Sequence, residues 1–309
     1  MNQSQSHCVE TRGSVGLEAR SFRLPGGGSG YCLGPQDLFD AAMIRSWMDR
    51  PDRLVEGEGQ VLKTDRGAMV VRRSIVWAGR KVDCIIKYQR YDRKLTDRLR
   101  GFFPLRAISG FRTAIRLVKA EFPTPRPLLA VEKQGGFRYP QSLLITEYIP
   151  DSIHLYGYLQ DHLFPSNSSF ATIKRLLARQ VATVFLRLDQ LGLRHRDAKP
   201  SNWLVQSTPE GPRLWLVDLD GIRPKGLKSD GMTEGLSQLA SKLLWCPNLF
   251  GTDYLRAYRS TFDSDRMRDR EWKDRYRRLA RLAVARRVMT LAETMLGQTI
   301  HLREGQVHA

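Results

Sequence analysis

The residues of this chain whose types and spacing could do chemistry lie between positions 195 and 221. His195-Arg196-Asp197-Ala198-Lys199-Pro200-Ser201-Asn202 is followed, sixteen residues after Asn202, by Asp218 in the run Val217-Asp218-Leu219-Asp220-Gly221. Two carboxylates, an amide and a lysine in this order suit phosphoryl transfer from ATP to a hydroxyl, a reaction that needs little covalent help and much charge management. One carboxylate must orient the attacking hydroxyl and accept its proton. The metal ions that bridge the phosphates need oxygen ligands at fixed places, and Mg²⁺ prefers carboxylate and amide oxygens. Asp197 fits the first role, and Asn202 and Asp218 fit the second. Lys199 is spaced to neutralise the transferred phosphate. His195 reads as a structural histidine, because Asp197 already fills the role of base. Asp220 reads equally as a second ligand or as a turn residue.

These side chains need rigid neighbours. Over 169–191, Ile173, Leu176, Leu177, Val181, Val184, Phe185, Leu188 and Leu191 recur in steps of three and four, which predicts the best-defined helix of the chain. Ser168 or Ser169 can cap its start and Gly192 its end. The polar stretch 194–202 then reads as a loop. Two short β runs, 203–205 and 214–217, make a hairpin that returns Asp218 beside Asp197 and Asn202. Trp203, Trp215 and Trp245 read as core.

Upstream, 60–63, 68–77 and 81–88 read as an antiparallel meander, with turn chemistry at Thr64-Asp65-Arg66-Gly67 and Ala78-Gly79. Lys87 lies on the third of these strands after Ile85 and Ile86, either exposed by strand alternation or aimed at the phosphates of a nucleotide. A helix over 105–120 places Ile108, Phe111, Ile115 and Leu117 on one face and ends before Pro123-Thr124-Pro125-Arg126-Pro127. Strands over 128–132 and 143–148 follow. Further helices are expected at 36–50, 233–244, 251–262 and 266–295. The class is α+β, a β-rich part over 36–150 followed by an α-helical part over 151–309. Residues 1–35 are polar and glycine-rich and read as a flexible segment. Gly26-Gly27-Gly28-Ser29-Gly30 reads as linker rather than phosphate loop, because no Gly-Lys-Ser/Thr follows it and no apolar strand is expected before it.

The loop at 195–205 (HRDAKPSNWLV), the segment at 214–223 (LWLVDLDGIR) and the lysine at position 87 resemble the protein-kinase-like superfamily, with its H-R-D-x-x-x-x-N loop, metal-binding D-F-G and strand lysine. Within it, FPTPRPLLAVE at 122–132 is similar to the bacterial Kdo/WaaP lipopolysaccharide kinase family. The likeness covers roughly residues 55–250. It implies a bilobal protein-kinase-like fold, with an N-lobe at 36–150 and a C-lobe at 151–309 that ends in a basic helix. It implies ATP and Mg²⁺ as cofactors, Asp197 and Lys199 as catalytic residues, Lys87, Asn202 and Asp218 as contacts to the nucleotide, and Asn202 and Asp218 as metal ligands. The implied reaction is phosphorylation of a sugar hydroxyl of lipopolysaccharide core, Kdo or heptose, at the cytoplasmic face of the inner membrane.

The chain departs from the superfamily pattern in several places. The D-F-G position reads Asp218-Leu219-Asp220, and no A-P-E follows. About fifteen residues separate Asp218 from the next expected helix, too few for a long docking segment for protein substrates. The helix over 105–120 has no glutamate to pair with Lys87; Glu121 stands at its far end. The turn at 63–67 lacks G-x-G-x-x-G. These features keep two other functions in view: a kinase of another small molecule or of protein serine, and a non-catalytic basic pseudokinase that binds membrane or nucleic acid.

Composition frames these readings. The chain has 309 residues, 41% of them hydrophobic, enough for a sizeable core. It carries no run of eighteen uncharged apolar residues and no basic then apolar leader, so a soluble, cytoplasmic protein is expected. Cys8, Cys32, Cys84 and Cys246 are scattered, which excludes a zinc site or a disulfide framework as an organising feature. The net charge is +18, with 50 Lys+Arg against 32 Asp+Glu. Residues 72–119 hold 14 Lys+Arg against Asp83, Asp92 and Asp97, and residues 265–289 hold ten against four acids. Such concentration marks surfaces that meet something anionic. Beside the loop at 195–202, an anionic sugar or glycolipid acceptor and peripheral contact with an anionic membrane are favoured partners, and nucleic acid is disfavoured.

Overall fold

A computed structural model describes residues 18–24, 28–34, 38–65, 67–91, 106–133, 140–163, 168–226, 231–243 and 269–296. The chain divides into two units, Met1–Phe111 with Pro127–Glu147, and Arg112–Arg126 with Tyr148–Ala309.

The first unit is built on strands β1 (Ala19–Arg23), β2 (Ser29–Leu33), β3 (Gln60–Asp65), β4 (Ala68–Trp77), β5 (Arg80–Arg90), β6 (Pro127–Lys133) and β7 (Gln141–Glu147). They form one seven-stranded sheet in the order β1-β2-β6-β7-β5-β4-β3, with every neighbouring pair antiparallel. The meander β3-β4-β5 follows the alternation and turns of the sequence; Gly79 takes a left-handed φ of 72° in the β4–β5 turn. Helix α1 (Ala41–Asp49) is capped by Asp40, whose carboxylate accepts from the N–H groups of Ala42 and Met43.

Residues 1–35, expected as a flexible segment, contain the hairpin β1–β2, and a strand does precede the glycine run. The physical reason is burial and close approach. Phe22, Cys32 and Leu33 are buried. A Cβ on Gly30 would lie 2.3 Å from the carbonyl oxygen of Ala130, so the glycine lets β2 sit against β6.

Several cations of the 72–119 cluster are spent inside this unit. Arg72 pairs with Asp83 at 3.1 Å. Arg73 donates to the carbonyls of Arg53, Leu54 and Glu56 and lies over the Trp47 ring. The cluster is therefore partly scaffold rather than wholly an anion-facing surface. Residues 92–105 of it lie outside the described residues. Cys84 is buried, donates to the Arg73 carbonyl at 2.9 Å and has its thiol pushed up to about 12 by burial, as suits a small core residue.

Helix α2 (Arg106–Lys119) contributes its first turns to the first unit and its remainder to the second. In the first unit Phe111 stacks on Tyr31, and the N–H of Ile108 donates to the buried carboxylate of Glu132 on β6 at 2.9 Å.

The second unit is mainly helical: α3 (Leu155–Leu163), α4 (Ser168–Gln190), α5 (Gly231–Lys242) and α6 (Asp269–Leu296). The helix expected over 251–262 lies outside the described residues, as does Trp245. Two small sheets accompany the helices. Strands β11 (Arg213–Leu216), β10 (Trp203–Gln206) and β8 (Ser152–His154) form one, and β12 (Ile222–Pro224) pairs with β9 (Leu193–His195) in the other. The core gathers Leu177, Val181, Phe185 and Leu188 of α4, Trp203 and Val205 of β10, and Leu236 and Leu239 of α5. Phe185 meets Trp203 at 5.5 Å. A Cβ on Gly235 would lie 2.3 Å from the Phe185 ring, so this glycine sets how closely α5 packs on α4. Gly192, at φ 66°, ends α4 as its position in the sequence predicts.

Two arginines brace the ends of α2 and α4 within this unit. Arg187 donates to the carbonyls of Ala120 and Glu121, and Arg116 donates to that of Leu191. Both satisfy helix-terminal carbonyls that have no partner within their own helix.

Candidate active site

Strand β9 ends at His195, and the chain then passes through Arg196-Asp197-Ala198-Lys199 into a single 3₁₀ turn, Pro200–Asn202, before β10. Proline at the start of that turn has its φ preset and no N–H to leave unpaired. Hairpin β10–β11 leads back, and the N–H of Val217 donates to the Asn202 carbonyl at 2.9 Å. Asp218 follows in the left-handed region, at φ 60° and ψ 58°, which is uncommon for a non-glycine residue and turns the chain out of β11. A second 3₁₀ turn, Leu219–Gly221, then feeds β12, whose Ile222 pairs with His195. The three-residue pairing β9–β12 thus closes the loop that the hairpin opens.

Within this ring the predicted residues come together. Lys199 Nζ donates to Asp197 Oδ2 at 2.6 Å. Asn202 Nδ2 donates to the Asp197 carbonyl at 2.7 Å and lies 3.4 Å from Asp197 Oδ2. With its nitrogen so engaged, Asn202 presents Oδ1 as the atom that could take a cation. Asp197 and Lys199 keep side-chain exposures of 52% and 45%, while Asn202 is buried. The exposed pair can meet a ligand, and the buried amide is held in one orientation.

His195 is 1% exposed. Its Nδ1 accepts the N–H of Asp197 at 3.1 Å, which assigns the ring proton to Nε2. Burial drives its pKa down to about 4, partly opposed by the carboxylates of Asp197 and Asp218. The ring is neutral and structural, as read from the sequence. Gly221 completes the packing: a Cβ there would lie 3.2 Å from His195 Cε1 and 3.6 Å from Asp197 Cβ.

Further side chains support the loop, and three of them, Gln238, Gln180 and Thr124, have no signal in the sequence around it. Gln238 on α5 accepts the N–H of Ala198 at 2.9 Å, and the indole of Trp203 donates to the Ala198 carbonyl at 3.4 Å. The peptides on both sides of Ala198, between Asp197 and Lys199, are therefore held by side chains of the core. Gln180 on α4 holds the hairpin, with Nε2 donating to the Pro212 carbonyl and Oε1 accepting the Leu214 N–H, both at 2.7 Å. On the outer edge of β11, Leu216 donates its N–H to the Pro123 carbonyl, and the Thr124 hydroxyl donates to the Leu216 carbonyl, both at 2.8 Å.

Lys87 belongs to the first unit. It is half-buried on β5, opposite Val70 of β4 and Leu144 of β7. A Cβ added to Gly110 of α2 would lie 3.6 Å from that same Leu144. Glu121, the one acid near the end of this helix, stands past its last turn at φ 53° in the second unit. Among the described residues no group of three His, Cys, Asp or Glu side chains is arranged to hold a metal ion. A Mg²⁺ ion would find Asn202 and Asp218 here, with Asp220 two residues further on in the 3₁₀ turn, a donor set that suits an ion completed by water and phosphate oxygens.

A β-rich unit that carries a half-buried strand lysine, and a helical unit that carries an H-R-D loop closed against an aspartate, define a protein-kinase-like chain. The profile described as Lipopolysaccharide kinase (Kdo/WaaP) family matches residues 67–260, and the chain belongs to that family. Over 118 residues, 37% of this chain, it is 32% identical to a 3-deoxy-D-manno-octulosonic acid kinase of Actinobacillus succinogenes, of which 44% is covered. It is 29% identical over 117 residues to the protein of the same description from Haemophilus influenzae strain PittEE, again 44% covered. The chain thus matches less than half the length of these curated relatives. Among solved structures it is similar to one described as WaaP in complex with acyl carrier protein. That likeness has 20% identity and a TM-score of 0.55, and covers 85% of this chain and 96% of the other. At that identity it speaks to the fold.

Proposed function

We propose that this protein is an ATP-dependent kinase of a sugar hydroxyl in lipopolysaccharide core, Kdo or heptose, acting at the cytoplasmic face of the inner membrane. The observation that carries the reading is the convergence of Asp197, Lys199 and Asn202 within hydrogen-bond reach, beside Asp218, in a chain of the Kdo/WaaP family.

Asp197 accepts the proton of the acceptor hydroxyl and orients its oxygen. Lys199 rests on Asp197 before substrate arrives. An ion pair this exposed contributes no more than about 1 kcal/mol, so Lys199 exchanges Asp197 for a phosphate oxygen at little cost. It then offsets charge on the transferred group. Asn202 Oδ1 and the Asp218 carboxylate would hold Mg²⁺, whose charge would offset that of the ATP phosphates. Lys87 contacts the nucleotide phosphates. Helix α5 begins at Gly231, which leaves a short span after Asp218 and favours a small acceptor over a docked protein.

The test is transfer of labelled phosphate from ATP to Kdo- or heptose-bearing core glycolipid, with a protein serine substrate beside it. Transfer to the glycolipid that Asp197→Ala abolishes supports the reading. Equal transfer by that variant, or transfer to protein alone, overturns it.

A further inference from the structure

Helix α6 has two faces, and among the described residues one of them meets α5 and the core. Leu279 and Ala283 are buried in the core, Arg286 Nε donates to Ser237 Oγ at 3.1 Å, and Lys242 Nζ donates to Thr290 Oγ1 at 3.2 Å. These four positions, in steps of four, three and four, fix the rotation of the helix against α5. About 140° round the helix, a second set in the same steps points outward: Val284, Val288, Leu291 and Met295. Their exposures are 53%, 58%, 48% and 84%. Single exposed apolar residues are ordinary, but a continuous line of four along one helix is not.

Charge says what this line faces. From Arg275 to Ala292 the helix carries no carboxylate. Arg278 and Arg281 are exposed, and by their positions Arg281 and the half-buried Arg287 lie on either side of the apolar line. Arg277 is occupied by Asp274 at 3.1 Å. We infer that this face of α6 docks the protein on an anionic phospholipid surface, with Val284, Val288, Leu291 and Met295 entering the headgroup boundary and Arg278, Arg281 and Arg287 meeting lipid phosphates. An exposed apolar line along one helix, flanked by arginines, fits a plane that can deform around it, the geometry of an interfacial helix. A second copy of the chain is the poorer occupant, because a two-fold contact along α6 would bring the two arginine sets together.

The docking has a structural consequence. Ser237 and Gln238 are neighbours on α5: the first receives Arg286 of α6, and the second holds Ala198 in the loop of Asp197. The membrane-facing helix and the loop are thus carried by adjacent residues of one rigid element.

The inference deepens the membrane location in the proposed function and is independent of its phosphoryl-transfer chemistry, and its test is flotation of the full chain with phosphatidylethanolamine vesicles containing phosphatidylglycerol, and with phosphatidylcholine vesicles alone. The wild type floats with the anionic vesicles, less so at high salt, and not with phosphatidylcholine. Val288→Asp with Leu291→Asp abolishes flotation with unchanged circular dichroism. Each of Arg278→Gln, Arg281→Gln and Arg287→Gln lowers vesicle partition about fivefold. Equal binding to both vesicle types, or anionic binding that survives the Val288 and Leu291 changes, overturns it. So does a wild type that ignores vesicles, including one that is a dimer broken by Val288→Asp. Failure here leaves ATP-dependent transfer to soluble acceptor untouched, and loss of that transfer in Asp197→Ala leaves flotation untouched.

Discussion

The imidazole of His195 accepts the backbone N–H of Asp197 at 3.1 Å and does so as a neutral ring. A proton on Nδ1 would replace that acceptor with a donor facing a donor. The pKa near 4 lies below the 6.5 of an exposed histidine, so the unfolded chain takes up the proton first. The stability this contributes is complete above pH 6.5 and is lost as the pH falls toward 4, amounting to at most about 3 kcal/mol. Urea unfolding across that range should show the loss in the wild type and a flatter profile in His195→Gln.

Asp197 and Lys199 should separate kinetically. Asp197→Asn keeps the shape and removes the base, so kcat should fall about 10²- to 10⁴-fold with little change in KM for ATP. Lys199→Ala should lower kcat by about 10²-fold or more through lost charge stabilisation. Steady-state rates at saturating acceptor check both.

Asn202 and Asp218 should govern the metal requirement. Asn202→Ala and Asp218→Asn should each raise the Mg²⁺ concentration for half-maximal rate at least tenfold, whereas Lys199→Ala should leave it in place. A magnesium titration of the rate distinguishes the two groups of residues.

Gln238 should matter through Ala198. Gln238→Leu leaves the Ala198 N–H, between Asp197 and Lys199, without its acceptor, at a cost of about 1–3 kcal/mol in stability. It should also lower kcat while sparing ATP binding. Gln238→Glu retains an acceptor and should restore most of the rate.

Gly221→Val should reduce kcat more than tenfold and stability by about 1–3 kcal/mol, because a Cβ there already lies 3.2 Å from His195 Cε1 and the valine methyls beyond it must displace the ring that holds the Asp197 N–H. Thermal melts beside the assay separate the two effects.

Much of this was legible in the residues. The steps of three and four over α4, the alternation of β4 and β5, and the Pro200 and Gly192 punctuation are local signals, and the observed elements follow them. The loop at 195–202 carried its chemistry in residue types alone. The hairpin β1–β2 was illegible because its glycines look like linker until the Ala130 carbonyl is seen against Gly30. Strands β9 and β12 are three residues each, too short to show a period. Gln238 and Thr124 act on the site by bonds from side chain to backbone across 40 and 92 residues, and no local pattern announces such bonds. The basic character of α6 was visible, but which of its faces turned outward was not until the contacts with α5 fixed the rotation.

The clasp of Pro123 and Thr124 on Leu216 bears on how the molecule comes to be made and kept. Strand β11 is the last strand of its small sheet, and Leu216 turns both its hydrogen-bonding groups outward. Left open, that edge is a template on which a second chain could add a strand. Closing it requires a segment synthesised 92 residues earlier, so the strand that delivers Asp218 is finished by a long-range encounter rather than by its own hairpin. Until that encounter the nascent chain holds an unguarded edge, and afterwards the edge is sealed by a proline, which has no N–H with which to extend the ladder further.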